Sequence, residues 1–171
     1  MRLQDPPPTS GEEQGRGEPT DRCPVLVLGI GNILLRDEGV GVRVVEMLQA
    51  MELPSTVEVF DGATAGVDLL DVLADRRKVI VIDALQADEP PGTVFRLSPS
   101  ELEPPEPMPL SLHQVGLLEA LRMARLIGCP PEQVVIFGVR PKDVGYGLDL
   151  SAEVAEAIPK VVELVLSESR T

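Results

Sequence analysis

The chain has 171 residues, with 28 acidic against 15 basic side chains and a formal net charge of −13. This length suits one domain with a sizeable core. The acidic balance and an aromatic content of 2% argue against nucleic-acid binding, which needs basic surfaces and stacking platforms. The chain has one histidine, His113, so a histidine-rich metal site is excluded and any imidazole chemistry must use this residue.

The first 22 residues differ in composition from the rest. They are rich in proline and glycine, so we expect residues 1–22 to form a disordered tail and residues 23–171 to form a single α/β domain. We find no apolar run of the length that a signal peptide or a membrane span requires. Cys23 and Cys129 form no paired motif, which favours reduced thiols and a cytoplasmic location without membrane insertion.

Strand and helix patterns alternate in the first half of the domain. The apolar run Val25–Ile30 predicts a buried strand, which ends at the turn Gly31-Asn32. Apolar residues then recur at helical spacing, and Asp37 is the expected N-cap of this helix. A second strand is predicted over Val57–Phe60 and a short helix over residues 66–74.

The connection between the next two strands predicts their relative direction. These strands are predicted over Val79–Ile82 and Thr93–Leu97. Residues 84–92 are too few for a helical crossover, and they include Pro90-Pro91-Gly92. The fourth strand is therefore expected to run antiparallel to its neighbour in the sheet.

The last part of the chain predicts two helices around a fifth strand. Ser111 and Gln114 fit a capping box at the start of a helix that reaches about Ile127. The fifth strand is predicted over Val134–Val139, and a final helix, which Pro159 should kink, begins near Ser151. The whole pattern predicts a three-layer α/β/α sandwich around a mostly parallel sheet with one antiparallel strand.

Acidic residues stand where the predicted strands end, which is the edge at which open α/β sheets bind ligands. Glu38 follows the first strand, Asp61 ends the second and Asp83 ends the third, while His113 lies in the first turn of a helix. Two carboxylates and one imidazole could hold a divalent transition metal and leave positions open for water or substrate. Each residue alone could also be a solvated acid, a helix cap or a surface histidine.

A second interpretation starts from Gly29-Ile30-Gly31, which could open a dinucleotide-binding turn. That fingerprint needs a third glycine at position 34, where the chain has Leu34. Gly62 and Gly66 do not belong to a phosphate-binding loop, because no Gly-Lys-Ser/Thr sequence follows them. A nucleotide-binding α/β domain therefore remains an alternative with a weak motif.

Five segments together resemble the nickel–iron hydrogenase maturation proteases. The first is Gly29-Ile30-Gly31-Asn32-Ile33-Leu34-Leu35-Arg36-Asp37-Glu38-Gly39-Val40-Gly41. The others are Asp61-Gly62-Ala63-Thr64-Ala65-Gly66, Val81-Ile82-Asp83-Ala84, Ser111-Leu112-His113-Gln114-Val115-Gly116-Leu117 and Phe137-Gly138-Val139-Arg140-Pro141. The resemblance runs from about Pro24 to Ser167, and the order and spacing of the motifs make it far more specific than any one of them.

The resemblance implies a fold, an activity and a site. It implies a phosphorylase/hydrolase-like sheet of strand order 2-1-3-5-4, with the fourth strand antiparallel. It also implies an aspartyl-type endopeptidase that activates another enzyme, by removing a C-terminal peptide from the hydrogenase large-subunit precursor once nickel is inserted. The residues that correspond to the metal-contacting and catalytic ones are Glu38, Asp83 and His113.

Further expectations concern the substrate, the partner and the oligomeric state. Asp61, Gly62 and Thr64 match the second motif and are expected to bind substrate. The nickel is expected to arrive in the precursor rather than to reside in the protease, since a set of ligands without thiolates would hold it only modestly. We expect a monomer. The alternative from another class is a chaperone that binds the precursor without cutting it.

Overall fold

A single five-stranded sheet organises the computed structural model, which describes residues 22–63, 69–102 and 111–171. The strands are β1 (Val25–Ile30), β2 (Val57–Ala63), β3 (Lys78–Ala84), β4 (Val94–Leu97) and β5 (Gln133–Val139). Their order is β2-β1-β3-β5-β4, and the pairs β1–β2, β1–β3 and β3–β5 are parallel. β4 runs antiparallel to β5, which confirms the direction that the short connection predicts.

Helices cover both faces of this sheet. They are α1 (Val40–Gln49), α2 (Leu69–Leu73), α3 (Leu112–Leu126) and α4 (Ala152–Ser169), with 3₁₀ turns over Arg36–Gly39 and Pro99–Glu101. α1 and α4 pack in one buried cluster, and α2 and α3 pack in the other. The predicted three-layer α/β/α sandwich is therefore confirmed. Within the residues described, we find no helix with the length and apolar character needed to cross a bilayer.

The central strands are buried on both faces, as their continuous apolar runs predict. Every residue of β1 and of β3 is buried. Successive side chains of β1 alternate between the two layers: Val25 and Val27 join the α1–α4 cluster, whereas Leu26 and Leu28 join the α2–α3 cluster. β2 and β3 extend beyond their predicted ends, and the predicted helix over 66–74 is seen over Leu69–Leu73, its first residues lying outside the described part of the chain.

A buried lysine fastens the end of α4 to the start of β3. The Lys78 side chain is 2% exposed, and its ammonium donates to Glu168 Oε1 at 2.9 Å and to Thr171 Oγ1 at 2.8 Å.

The helix α4 runs without a break from Ala152 to Ser169, with Pro159 on its exposed side. Water can therefore satisfy the carbonyl group that has lost its amide partner to Pro159.

The expected role of Asp37 as the N-cap of α1 is wrong. The N-cap is Gly39, and Asp37 lies in the preceding 3₁₀ turn with its side chain fully buried. Its carboxylate accepts hydrogen bonds from the backbone N–H groups of Lys142, Asp143 and Ser151 at 2.8, 2.9 and 2.7 Å, and from the Ser151 hydroxyl at 2.8 Å. These bonds join the turn after β1 to the segment between β5 and α4.

The hydrogen bonds also decide the ionisation of this carboxyl group. Burial alone would raise the pKa of Asp37, but the bonds from Asp143, Ser151 and Lys142 outweigh it and hold the pKa below 3.8. Asp37 is therefore a buried carboxylate at neutral pH, stabilised entirely by hydrogen-bond donors from one loop.

We expect Asp37→Asn to lower the free energy of unfolding by about 3 kcal/mol, because an asparagine amide group would face N–H donors that now bond to a charged acceptor. The matched control Asp149→Asn removes an exposed carboxylate from the same loop and should change stability by less than about 0.5 kcal/mol. Urea denaturation of the two variants and the parent measures both differences.

The loss should also depend on pH. Since the folded-state pKa of Asp37 lies below its ordinary value of 3.8, the carboxylate contributes its full stability above about pH 4 and loses it as the pH falls through the folded-state pKa. The difference between the parent and Asp37→Asn should therefore shrink in acid. An equal difference at about pH 7 and about pH 2 would contradict this assignment of the stabilisation to the charge.

Candidate active site

Close backbone packing places Glu38 at the carboxyl edge of the sheet. Gly31 has φ +135°, and a Cβ atom there would lie 1.9 Å from the carbonyl oxygen of Glu38. A Cβ on Gly41 would lie 2.3 Å from the carbonyl oxygens of both Ile30 and Ile82. Only glycine fits at either position, so the start of α1 lies directly against the ends of β1 and β3, and Glu38 is held beside them.

The same packing explains the glycine pattern that suggested a nucleotide-binding turn. A Cβ on Gly29 would lie 2.2 Å from the carbonyl oxygen of Gly41. Gly29 and Gly31 are thus required for the approach of α1 to β1, whether or not a ligand binds there. This is a complete structural reason for the Gly-x-Gly sequence, and it removes the main support for the nucleotide alternative.

Asp83 is a buried acid near the end of β3. Its side chain is 3% exposed; Oδ1 accepts a hydrogen bond from the Ala84 amide at 2.8 Å, and Oδ2 has no partner in the described part of the chain. Burial is the largest influence on the Asp83 carboxyl group and raises its pKa to about 8. Hydrogen bonding by the Ala84 and Gln114 amide groups lowers this pKa in part, whereas the charge of Glu38 raises it. Asp83 and Glu38 are therefore close enough to interact electrostatically.

The first turn of α3 brings His113 to the same edge. The predicted capping box is confirmed: Gln114 N–H donates to Ser111 Oγ at 3.2 Å, and Ser111 N–H donates to Gln114 Oε1 at 3.0 Å. The other end of the Gln114 amide, Nε2, donates to the carbonyl oxygen of Ala84 at 3.2 Å. Gln114 therefore ties the residue after His113 to the residue after Asp83.

All three residues of the predicted set have a buried polar atom without a hydrogen-bond partner. These atoms are Glu38 Oε2, Asp83 Oδ2 and His113 Nδ1; among the described residues only Glu153 Oε2 shares this property. Such atoms are rare because burying them without a partner costs free energy, so three at one edge indicate a ligand-binding site. Within the described ranges, however, no three His, Cys, Asp or Glu side chains lie close enough together to form a metal cage.

An open cleft of about 700 Å³ lies beside this edge. Glu38 lines the cleft. Asp83 and His113 are not among the lining residues, but the residues that follow them, Ala84 and Gln114, are. The lining also includes Arg140, whose Nε donates to the carbonyl oxygen of Ala87 at 3.2 Å and which forms no ion pair with any acid in the described segments. The cleft has the size to hold a stretch of polypeptide, and its mainly apolar lining contains a few polar groups such as Glu38, Gln114 and Arg140.

The residues of the second motif lie at the same carboxyl edge of the sheet, but on the other side of β1 from Asp83. Asp61 is exposed near the end of β2, and its Oδ1 accepts a hydrogen bond from the Ala63 amide at 2.8 Å, which supports the left-handed φ of +38° at Ala63. Gly62 is buried, and a Cβ there would lie 2.7 Å from Leu28 Cδ1. β1 separates β2 from β3, so these two residues are not brought next to Asp83. Thr64 lies outside the described residues.

Sequence reasoning missed two residues that shape the site. Gln114 was expected only as a helix cap, and its contact with Ala84 spans 30 positions of the chain. Arg36 precedes Asp37 with a left-handed φ of +47° and pairs with Asp143 at 3.1 Å. No local pattern indicates either contact, because both partners are distant in sequence.

The chain resembles known proteins in sequence over most of its length. The family model HycI, described as hydrogenase maturation protease, matches residues 42–168. The chain is 39% identical over 148 residues to the hydrogenase 2 maturation protease of Escherichia coli (strain K12), which covers 85% of this chain and 90% of that protein.

Solved structures of hydrogenase maturation proteases have the same fold as this chain. The hydrogenase maturating endopeptidase HybD from E. coli superposes with a TM-score of 0.79 at 38% identity, over 85% of this chain and 91% of that one. The hydrogenase 2 maturation peptidase from Thaumarchaeota archaeon SCGC_AB-539-E09 gives a TM-score of 0.66 at 36% identity, over 84% and 96% of the two chains. The chain therefore belongs to the hydrogenase maturation protease family and is an endopeptidase.

Proposed function

We propose that this endopeptidase removes the C-terminal extension of a nickel–iron hydrogenase large-subunit precursor, and that it recognises nickel already bound in that precursor. The observation that carries the proposal is the set of unpartnered, buried atoms on Glu38, Asp83 and His113. Two carboxylates and an imidazole are suitable donors for a divalent nickel ion. We place the reaction in the cytoplasm, with the protease acting as a monomer.

Nickel that arrives as part of the substrate explains why these donors need not form a cage. A metal ion in the precursor keeps ligands of its own and needs the protease only at its open positions. Donors held apart by separate elements can then select the loaded precursor, since each contributes one contact when the substrate docks. The hydrogen bond from Gln114 Nε2 to the Ala84 carbonyl supports this mode of selection, because it holds the segments that carry His113 and Asp83 together before the substrate binds.

The chemistry of Asp83 suits the hydrolysis of a peptide bond. With a pKa of about 8, this carboxyl group carries a proton at neutral pH in the free enzyme. It could donate that proton to the leaving amine, or, once a cation nearby favours its ionised form, it could act as general base for water. A water activated by the substrate's nickel is the other route, and both use the same three side chains.

The cleft beside the site would hold the segment to be cleaved. Its lining includes Leu85, Gln86 and Ala87 after β3 and Pro141 after β5, so an extended peptide lying there would pass next to Glu38. A cleft of about 700 Å³ with lining residues from several segments favours several contacts along the peptide over recognition of a single side chain.

The test compares nickel-loaded and nickel-free precursor, followed by mass spectrometry. The parent protein should remove a C-terminal peptide from the loaded form only. His113→Ala and Asp83→Asn should each lower kcat/KM at least about 100-fold, because each removes a group that touches the metal or the reacting atoms. The control Asp71→Asn, an exposed carboxylate on α2, should cleave normally.

The other outcomes separate the alternatives. Equal cleavage of nickel-free precursor would contradict recognition through substrate-borne nickel. Stable complexes with both forms and no loss of mass would favour a binding chaperone.

A second prediction concerns the stability of Asp83→Asn. The folded protein holds a proton on Asp83 up to a pKa of about 8, whereas the unfolded chain releases it near 3.8, so this residue makes the parent less stable as the pH rises between these values. Asparagine can still accept the bond from Ala84 and carries no such cost. Asp83→Asn should therefore be more stable than the parent at neutral pH, by a margin that grows from about pH 4 and levels off above about pH 8.

Thermal unfolding across this pH range measures the margin and shows, at the same time, that an inactive Asp83→Asn variant is folded. A variant that is less stable than the parent at every pH would contradict the assignment of the raised pKa to burial of the Asp83 carboxyl group.

A further inference from the structure

A group of exposed apolar side chains borders the candidate active site. It comes from two segments, the turn after β1 and the loop between β5 and α4, and we call it the apolar rim: Ile33, Leu34, Val144, Tyr146 and Leu148. Tyr146 is 91% exposed and is the only tyrosine of the chain. Large apolar side chains that cluster at a surface indicate an interaction site, whereas single ones need no explanation.

The backbone under the apolar rim is braced. Leu35 and Gly147 form a parallel bridge, in which Gly147 N–H donates to the Leu34 carbonyl and Arg36 N–H donates to the Gly147 carbonyl, both at 2.9 Å. The buried Asp37 carboxylate adds bonds from the same loop. These bonds hold the backbone that carries the apolar rim in one conformation, which lowers the backbone ordering cost of binding a partner.

The apolar rim is continuous with the cleft. Val144 and Glu38 both line the cleft, and Glu38 N–H donates to the Leu35 carbonyl at 3.1 Å, so Glu38 belongs to the same turn as Ile33 and Leu34. A folded protein that brings a metal ion to Glu38 must cover the residues next to it. The exposed Leu126, at the far end of α3, lacks this connection.

We propose that the apolar rim is the docking surface for the folded body of the hydrogenase large-subunit precursor, through an apolar patch beside the segment that is cleaved. This inference rests on the proposed function. Two separate contacts then select the substrate: Glu38, Asp83 and His113 contact the nickel, while the apolar rim contacts the protein around it. An exposed aromatic residue among aliphatic ones is the composition expected at the centre of such an interface.

The first experiment uses the double variant Leu34→Ser/Tyr146→Ser with nickel-loaded precursor. We expect KM for cleavage to rise about 30-fold while kcat changes less than about two-fold, because the lost contacts bind the precursor without touching the reacting atoms. The control Leu126→Ser removes an even more exposed leucine, away from the cleft, and should leave both constants unchanged. Thermal unfolding checks that each variant is folded.

The second experiment uses the single tyrosine as a probe. Protein made with 3-fluorotyrosine carries one ¹⁹F label, at Tyr146. Its signal should shift or broaden when nickel-loaded precursor is added, and should not depend on the concentration of the labelled protein alone. A signal that changes with the protein's own concentration would show that a second copy covers the apolar rim and would overturn the proposal.

The outcomes distinguish this inference from the proposed function. Cleavage by the parent with an unchanged KM in the double variant and an unshifted ¹⁹F signal would overturn the docking proposal and leave the protease function intact. Absence of cleavage by the parent, with a ¹⁹F shift and weaker precursor binding in the double variant, would contradict the proposed function and support the docking surface.

Discussion

The buried carboxylate of Asp37 is the interaction on which the rest of the site depends. It lies between Arg36 and Glu38 in a 3₁₀ turn and accepts its hydrogen bonds from Lys142, Asp143 and Ser151, which are more than 100 positions away in the chain. An ionised group is stable in a protein interior only when donors surround it. The same donors fix one side of the cleft and the start of α4, so one residue joins three parts of the molecule.

In contrast to Asp37, the buried polar groups of the candidate active site are incompletely hydrogen-bonded. Asp37 has every oxygen satisfied, whereas Asp83, Glu38 and His113 each retain an atom without a partner. The raised pKa of Asp83 expresses the free-energy cost of this arrangement. One fold thus satisfies one buried acid completely and leaves another incompletely hydrogen-bonded at the carboxyl edge of its sheet, which is the observation on which the proposed role of Asp83 rests.

Much of the fold could be predicted because its signals are local. The continuous apolar run of β1 predicts a strand buried on both faces, and the short link before β4 predicts an antiparallel direction; both are confirmed. The capping box of Ser111 and Gln114 can also be predicted from the sequence, because each of its two hydrogen bonds joins residues only three positions apart. The predicted ends of the elements are less accurate: β2 continues to Ala63, past a bulge in its pairing with β1, and the Ala63 N–H donates to Asp61 Oδ1.

Local signals in the chain are enough to predict the alternation of strands and helices and the family, and they single out Glu38, Asp83 and His113 as candidates, because such signals depend on short-range periodicity and on the order of motifs. Only the tertiary structure decided that Asp37 anchors a distant loop, that Gly29 and Gly41 serve the packing of α1, and that Lys78 is buried. It also decided that the segment that carries Tyr146 lies beside the turn that carries Leu34, through the bond from Gly147 N–H to the Leu34 carbonyl. The physical reason is common to all of these: each depends on which distant segments lie within a few ångströms of one another, and the long-range packing of the sheet sets those distances.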